Sequence, residues 1–302
     1  MRRRPGSLKR ALDRLYRRYN RPEAATDPIE IVRRYPDPAD REVVGFCAAA
    51  LAFGRVASVM RTIEDLLDRL GPSPSSFVRR FDPGRDGPGL APLGHRWTRA
   101  PDFVALLWIL RNMLESAGSI ERFFLDGDPT RTPDVGRALE SFSARACSID
   151  LSPAYGVVPA RPGAAYFFPR PSAGSACKRL NLFLRWMARR DQVDLGVWTG
   201  VSPSRLIVPL DTHVIRVGRC LRLTDRRSPG WRMAVEITES LRVLDPADPV
   251  KYDFSLCHLG MTNECGFGRR QRDRRCPLRG LCRPSASGRR PRATGRGPQG
   301  GP

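Results

Sequence analysis

The chain almost lacks lysine. Of its 52 basic residues only Lys9, Lys178 and Lys251 are lysines; the rest are arginines. It also lacks long apolar runs. The longest, Val43 to Phe53, is too short to span a bilayer and reads as a buried helix, which excludes a membrane-spanning class. The start, Met1-Arg-Arg-Arg-Pro, leads into an amphipathic basic helix (Leu8, Leu12, Leu15, Tyr19) with no apolar signal core, so the expectation is a cytoplasmic protein. In that compartment the eight cysteines would be thiols or metal ligands rather than disulfides. Strand-like alternation is scarce and no internal repeat is visible, which leaves an all-α chain.

Arginine is what the chain has in excess. The net charge of +21 over 302 residues is uneven: residues 1–21 carry +8, residues 266–302 carry +10, and the long middle only +3. Basic ends suit nucleic acid, because neutralising phosphates releases counterions. They also serve solubility, and charge alone does not separate the two.

Two stretches hold the residues of chemical interest. Val208-Pro-Leu-Asp211-Thr-His213-Val-Ile-Arg216-Val217 reads as a helix start with Asp211 as N-cap, followed by an apolar stripe at Val214, Val217 and Leu221. Gly174-Ser175-Ala-Cys-Lys178-Arg179 reads as a turn made by Gly174, an N-cap at Ser175, and a helix over 176–190. Lys178 then lies in a first helical turn, where the macrodipole disfavours a cation. Arginine cannot act as an amine nucleophile. A lysine kept here in an arginine-saturated chain is either a nucleophile or a phosphate-binding surface residue.

The remaining pattern gives helices over 8–20, from Asp27-Pro28 through Arg34, from Asp40 (as cap) through 53, after Gly54 through Leu70, and from Phe103 to Leu114 with Asp102 as cap. Others run over Ser119–Leu125, Val135–Cys147, and about 212–222, 230–243 and 249–260. Residues 71–100 and 148–173 read as Pro/Gly-rich surface connections. The second contains Tyr166-Phe-Phe168, which either packs or stacks on a base. Residues 284–302 have a composition that buries nothing and are expected to be a disordered basic tail. His213 is expected to hydrogen-bond around its helix start and His258 to be structural. Lys251 is expected to pair with Asp253 or a phosphate.

The segment Pro209-Leu-Asp211-Thr-His213-Val-Ile-Arg216-Val217 resembles the catalytic segment of endonuclease III and the other helix-hairpin-helix DNA glycosylases. The separation between Lys178 and Asp211 is closer to that of archaeal 8-oxoguanine glycosylases, and the hairpin departs from the usual form. Gly174-Ser-Ala-Cys-Lys-Arg-Leu-Asn181 and Asp248-Pro-Val-Lys-Tyr-Asp-Phe254 also resemble motifs of an uncharacterised bacterial family. The glycosylase resemblance implies two helical subdomains with a cleft between them: a middle domain over 40–204, ending in a helix-hairpin-helix-like element, and a second domain of 1–39 plus 205–283. It implies Lys178 as nucleophile and Asp211 as carboxylate, facing each other. Gly174, Ser175, Arg179, Arg55 and Arg216 would be DNA-binding residues, and Phe53, Gly54 and Arg55 would occupy the place of a wedge into the base stack. An ordinary N-cap remains the other reading of Asp211.

In endonuclease III four C-terminal cysteines hold a [4Fe–4S] cluster. Here Cys265, Cys276 and Cys282 occupy three of those places and Asp273 the fourth. Thiolates are the usual cluster ligands, so the alternatives are Cys257 as fourth ligand, zinc with His258, or no metal. Cys47, Cys147, Cys177 and Cys220 read as small buried or partly buried residues. The functional expectation is a monomeric DNA base-excision glycosylase, with or without AP lyase activity. Its rivals are a non-catalytic nucleic-acid-binding protein on the same fold and an iron–sulfur or other metal module.

Overall fold

The computed structural model describes residues 5–24, 27–128, 132–262, 264–265 and 276–282. Asp273 and the tail over 284–302 lie outside the described residues. Among those described the fold is all-α, with no strand and only two isolated bridges, His95–Thr98 and Arg190–Leu195. The helices are α1 (Pro5–Tyr19), α2 (Ile29–Arg33), α3 (Pro38–Leu51), α4 (Val56–Leu70), α5 (Pro74–Arg79), α6 (Pro83–Asp86) and α7 (Ala100–Ala117). They continue with α8 (Ile120–Leu125), α9 (Gly136–Cys147), α10 (Ser152–Tyr155), α11 (Lys178–Ala188), α12 (Thr212–Cys220), α13 (Trp231–Arg242) and α14 (Asp253–Met261). None of them is long and apolar enough to cross a membrane.

Helix α3 is the hub. It is apolar on every face from Val43 to Leu51, and all of those residues are buried; a helix of that pattern is stable only inside other structure. It packs on α2, α4, α5, α8 and α11. The approach of α11 is close because position 45 is glycine: a Cβ there would meet Met187 Cε at 2.9 Å. The buried carboxylates of α3 cap two neighbours. Asp40 accepts the Ser75 N–H at 2.7 Å in the first turn of α5. Glu42 accepts the Ile120 and Glu121 N–H groups at the start of α8, at 2.9 and 2.6 Å, and the Trp198 indole N–H at 2.8 Å. These amides have no intrahelical acceptor, so a carboxylate from another helix satisfies them.

This corrects the expected cap of α3. Asp37 does that work, accepting the Ala39 N–H at 2.7 Å, with Pro38 as the first helical residue. The stretch 71–100 is also more than a surface connection. It holds α5, α6 and a 3-10 turn (Gly87–Leu90), and it buries Val78, Phe81, Leu90 and Leu93. Pro74 and Pro83 begin short helices there, a position where the missing N–H costs nothing. The second connection likewise contains α10 and two 3-10 turns (Gly163–Phe167, Pro171–Ala173).

The second half is tied on by buried charge. Arg185 of α11 pairs with Asp194 at 3.1 Å and with Asp253. Arg189 pairs with Asp191 at 2.9 Å, Asp248 at 2.9 Å and Asp194. Tyr252 donates to Asp13 of α1 at 2.7 Å. Lys251 pairs with Asp245 and, at 3.6 Å, with Asp13, rather than with Asp253 or a free phosphate site. The segment Asp248-Pro-Val-Lys-Tyr-Asp-Phe254 is thus a set of ties from α14 to α11 and α1. Removing one member of such a buried pair leaves an uncompensated charge, at a cost of about 3–5 kcal/mol.

Candidate active site

At the C-terminal end of α3 the chain leaves the helix through Ala52, Phe53 and Gly54, and α11 lies across that end. Gly174 takes the left-handed conformation at φ 77° and turns the chain into α11. Its carbonyl accepts the Trp231 N–H at 3.3 Å, and a Cβ on Gly230 would come within 2.8 Å of that oxygen, so the turn is pinned against the start of α13. Ser175 is not the N-cap. Its hydroxyl accepts the Cys177 N–H at 3.1 Å, and Cys177, left-handed at φ 48°, is the residue that precedes the helix. Lys178 is therefore the first residue of α11.

The first two side chains of α11 reach back to the end of α3. Lys178 Nζ donates to the Ala52 carbonyl at 3.1 Å, and Arg179 Nη1 to the Ala50 carbonyl at 3.0 Å. Cations are favoured at a helix C-terminus, where carbonyls lack partners. Arg179 is buried, also donates to the Tyr166 carbonyl, and lies 3.7 Å over the Tyr166 ring and 5.2 Å from the Phe53 ring. It is built into the wall, which removes it from the expected phosphate contact.

Asp211 caps α12 as expected: Oδ1 accepts the Val214 N–H at 2.7 Å. Its other oxygen accepts the Cys257 S–H of α14 at 3.1 Å. Burial, and then the neighbouring Asp211 and Asp253 carboxylates, push the Cys257 thiol well up, so it stays protonated and donates. Helices α12 and α14 meet closely at Gly260, where a Cβ would lie 2.6 Å from His213 Cβ. The expected hydrogen bond from His213 is not made: its Nδ1 is buried with no partner among the described residues. His258 is structural, its two ring nitrogens bonded to the Phe254 and Ala24 carbonyls at 3.0 and 2.9 Å.

Lys178 and Asp211 line one cavity of about 630 Å³, together with Phe53, Leu182, Ile215 and Cys257. They do not form an ion pair, and the lysine's polar partner is the Ala52 carbonyl. The cavity falls in the usual range for small-molecule sites, with mostly apolar walls and a few polar groups. Arg185 and Asp253 contribute to its lining. Burial pushes the Asp253 carboxyl up to about 7, against the pull of Arg185, and the Asp211 charge adds to the rise.

Of the other expected DNA-binding residues, Gly174 and Ser175 form the turn behind Lys178, Arg55 is exposed ahead of α4, and Arg216 is on the exposed face of α12. Phe53 lines the cavity and is half-buried, stacked under Trp97 at 4.9 Å, with Tyr166 edge-on at 5.2 Å. Phe167 and Phe168 are core. Sequence reasoning missed Cys257 as the partner of Asp211, and it missed Trp97 altogether.

A second cluster lies at the far end of α12. The Cys220 thiol lies among those of Cys265 and Cys282, and the Cys276 thiol beside that of Cys265, and this crowding together with burial pushes the Cys220 and Cys276 thiols up. Cys265 and Cys276 are buried, and Cys220 and Cys282 pack on the core. Cys257 bonds to Asp211 and His258 to the Phe254 and Ala24 carbonyls, apart from this group of thiols. Among the described residues no three His, Cys, Asp or Glu side chains already stand at metal-holding positions. Cys220, assigned from sequence to simple packing, is the fourth thiol.

A family model described as a protein of unknown function, DUF2400, matches residues 27–262. The chain belongs to the DUF2400 family. The matched span contains Lys178, Asp211, Cys257 and both motif segments at 174–181 and 248–254, and it ends before Cys265. No curated protein and no solved structure matches the chain.

Proposed function

We propose that this protein is a DNA base-excision glycosylase of the helix-hairpin-helix kind, with AP lyase capability, acting as a cytoplasmic monomer. The observation that carries the reading is the placement of a lysine amine and an ionisable carboxylate on the walls of one cavity large enough for a nucleotide. In that reading the target nucleotide leaves the stack, because its C1′ is hidden in the duplex. Asp211 stabilises the positive charge that develops on the sugar and accepts a proton from Lys178. The amine lone pair of Lys178 attacks C1′. The bond from C1′ to the base breaks, its electron pair leaving with the base, which takes up a proton. Opening of the sugar ring, with the amine's remaining proton passing to O4′, gives a Schiff base at Lys178; loss of a C2′ proton forms the C2′–C3′ double bond and the 3′ phosphate leaves with its bonding pair.

The end of α3 supplies the second reading. Lys178 already has a structural task at the Ala52 carbonyl, so a non-catalytic nucleic-acid-binding protein would place it in the same way. Borohydride trapping on a panel of lesion-bearing and abasic duplexes, beside Lys178→Gln, separates the two. A covalent adduct formed by the wild type and lost in the variant supports the enzyme. Salt-sensitive DNA binding by both, with neither an adduct nor base release from any substrate, leaves the binding protein.

The reading includes an iron–sulfur cluster near the C-terminus. Four thiols in one cluster suit either a cubane cluster or tetrahedral zinc in donor chemistry. Cys220, Cys265, Cys276 and Cys282 would hold it, after losing their protons. The group would fix the chain beyond α14 against the end of α12, and no step at Lys178 runs through it.

A further inference from the structure

The segment Gly94 to Thr98 packs on Phe53, which lines the cavity. His95 and Thr98 pair through both backbone bonds, His95 N–H to Thr98 O at 3.0 Å and Thr98 N–H to His95 O at 2.9 Å, which closes a two-residue turn with Arg96 and Trp97 at its tip. The base of the turn is anchored. His95 and Thr98 are each 2% exposed, and the His95 ring reaches the Phe53 carbonyl at 2.7 Å and the Thr62 hydroxyl at 3.2 Å. Arg96 is left-handed at φ 56°, a conformation that costs a non-glycine residue of order 1–3 kcal/mol and persists only where the surroundings impose it.

The strained tip displays a large aromatic ring. Trp97 is 51% exposed. One side of it stacks on Phe53, the ring planes within 28°, and Tyr166 stands edge-on at 5.1 Å. The Arg96 guanidinium lies over the ring, 5.3 Å from its centroid, in a cation–π contact that a stacking base would replace. Phe53 lines the cavity, and the preceding residue, Ala52, holds Lys178. The exposed ring is therefore braced from behind by the wall of the candidate active site. Arg96 and Arg99 flank it in the chain, and Arg55 follows Gly54, which packs on the Arg96 side chain; all three are exposed and none makes an ion pair among the described residues. An apolar partner would gain nothing from three guanidinium groups that have no carboxylate partner among the described residues. A nucleobase with its phosphates uses both features, since every base has a face to stack and every phosphate a charge to neutralise.

We propose that the Arg96–Trp97 turn is a base-stacking finger at the mouth of the cavity: Trp97 stacks on an unpaired DNA base beside the nucleotide held there, and Arg55 and Arg96 take flanking phosphates. This rests on the nucleic-acid reading above and adds the residues that hold the opened strand. Nothing in the sequence motifs points to it, because Trp97 sits in a stretch read as a surface connection.

The test uses the full-length protein and a short fluorescein-labelled duplex containing one tetrahydrofuran abasic analogue, titrated over a range of salt concentrations. The variants are Trp97→Ala, Trp97→Phe and Arg96→Gln. Loss of one base–aromatic stack weakens binding roughly 5- to 150-fold. Trp97→Ala should show that loss with an unchanged salt slope, and Trp97→Phe should recover most of it. Arg96→Gln should lower the salt slope by about one phosphate contact. Thermal unfolding of each variant confirms that the fold is kept. If Trp97→Ala binds as the wild type does, or if Trp97→Phe is as weak as alanine, the finger is refuted while the glycosylase reading stands. If the wild type shows no salt-dependent binding at all, the nucleic-acid reading falls and the finger with it.

Discussion

Asp211 has two tasks in one side chain, and replacing it with asparagine separates them. One oxygen caps α12 through the Val214 N–H at 2.7 Å; the other takes the Cys257 S–H at 3.1 Å and belongs to the cavity. Asparagine is as good an N-cap as aspartate, and its carbonyl oxygen can take the Val214 N–H unchanged. Its amide nitrogen then faces the Cys257 sulfur, which can turn its proton away and accept weakly. The expected stability change in Asp211→Asn is below about 0.5 kcal/mol, or no more than about 2 °C in Tm for a chain of this size. Asp211→Ala loses the cap and leaves the Cys257 thiol without its acceptor, so it should lose about 1–2 kcal/mol. Activity should not follow stability. Both variants lose the negative charge that faces the developing cation, and base release should fall by roughly 10²–10⁴ in each. The assay pairs thermal unfolding with single-turnover base release on whichever substrate the trapping panel identifies. An asparagine variant that releases base at the wild-type rate would reduce Asp211 to an ordinary cap and would refute the reasoning.

Two further outcomes follow from the buried charges and thiols. Asp253, held near 7 in the folded state against about 3.9 unfolded, binds a proton in the folded chain that the unfolded chain has released. Its contribution is present below about pH 4 and is lost as pH rises to about 7, by at most about 4 kcal/mol. Urea unfolding at both ends of that range should show the wild type losing ground to Asp253→Asn as pH rises; a constant gap would contradict the assignment. If Cys220 is a metal ligand, anaerobically purified Cys220→Ser should hold substantially less iron or zinc than the wild type by elemental analysis, with a weaker visible absorbance if the metal is a cluster, whereas Cys257→Ser should match the wild type. Equal metal content in Cys220→Ser would remove Cys220 from the site.

Helix positions were readable wherever apolar spacing was regular, because the 3.6-residue period of α4, α11 and α12 is a local property, and α3 was readable from its unbroken apolar run. Caps were read less well. Asp37 and Asp40 are both plausible by type, and only the arrival of α5 decides that Asp40 turns inward to Ser75. The short helices α5 and α6 were hidden in Pro/Gly-rich sequence because proline marks a helix start as well as a loop. Lys178 and Asp211 were legible as residue types in an odd context. Their shared cavity was not, since it depends on how α11 crosses the end of α3. Cys220 and Trp97 gave no local signal, as each acquires its meaning from neighbours far along the chain.

The oddity that singled out Lys178 has itself a structural explanation. A cation in the first turn of α11 is disfavoured by its own helix, but Lys178 and Arg179 both lie at the C-terminus of α3, whose unpaired carbonyls favour a cation. The two helix ends oppose each other, and the second supplies the acceptor. Position alone is therefore no argument for a nucleophile: arginine at 179 satisfies the same helix end beside it. What sets Lys178 apart is the difference between two neighbouring side chains. The side chain that turns into the wall is arginine, as in nearly every other basic position of the chain, and the one that lines the cavity with Asp211 is lysine. If capping α3 were its whole task, Lys178→Arg would be expected to leave activity intact. The proposed chemistry requires an amine there, and Lys178→Arg should form no borohydride adduct while unfolding at close to the wild-type temperature.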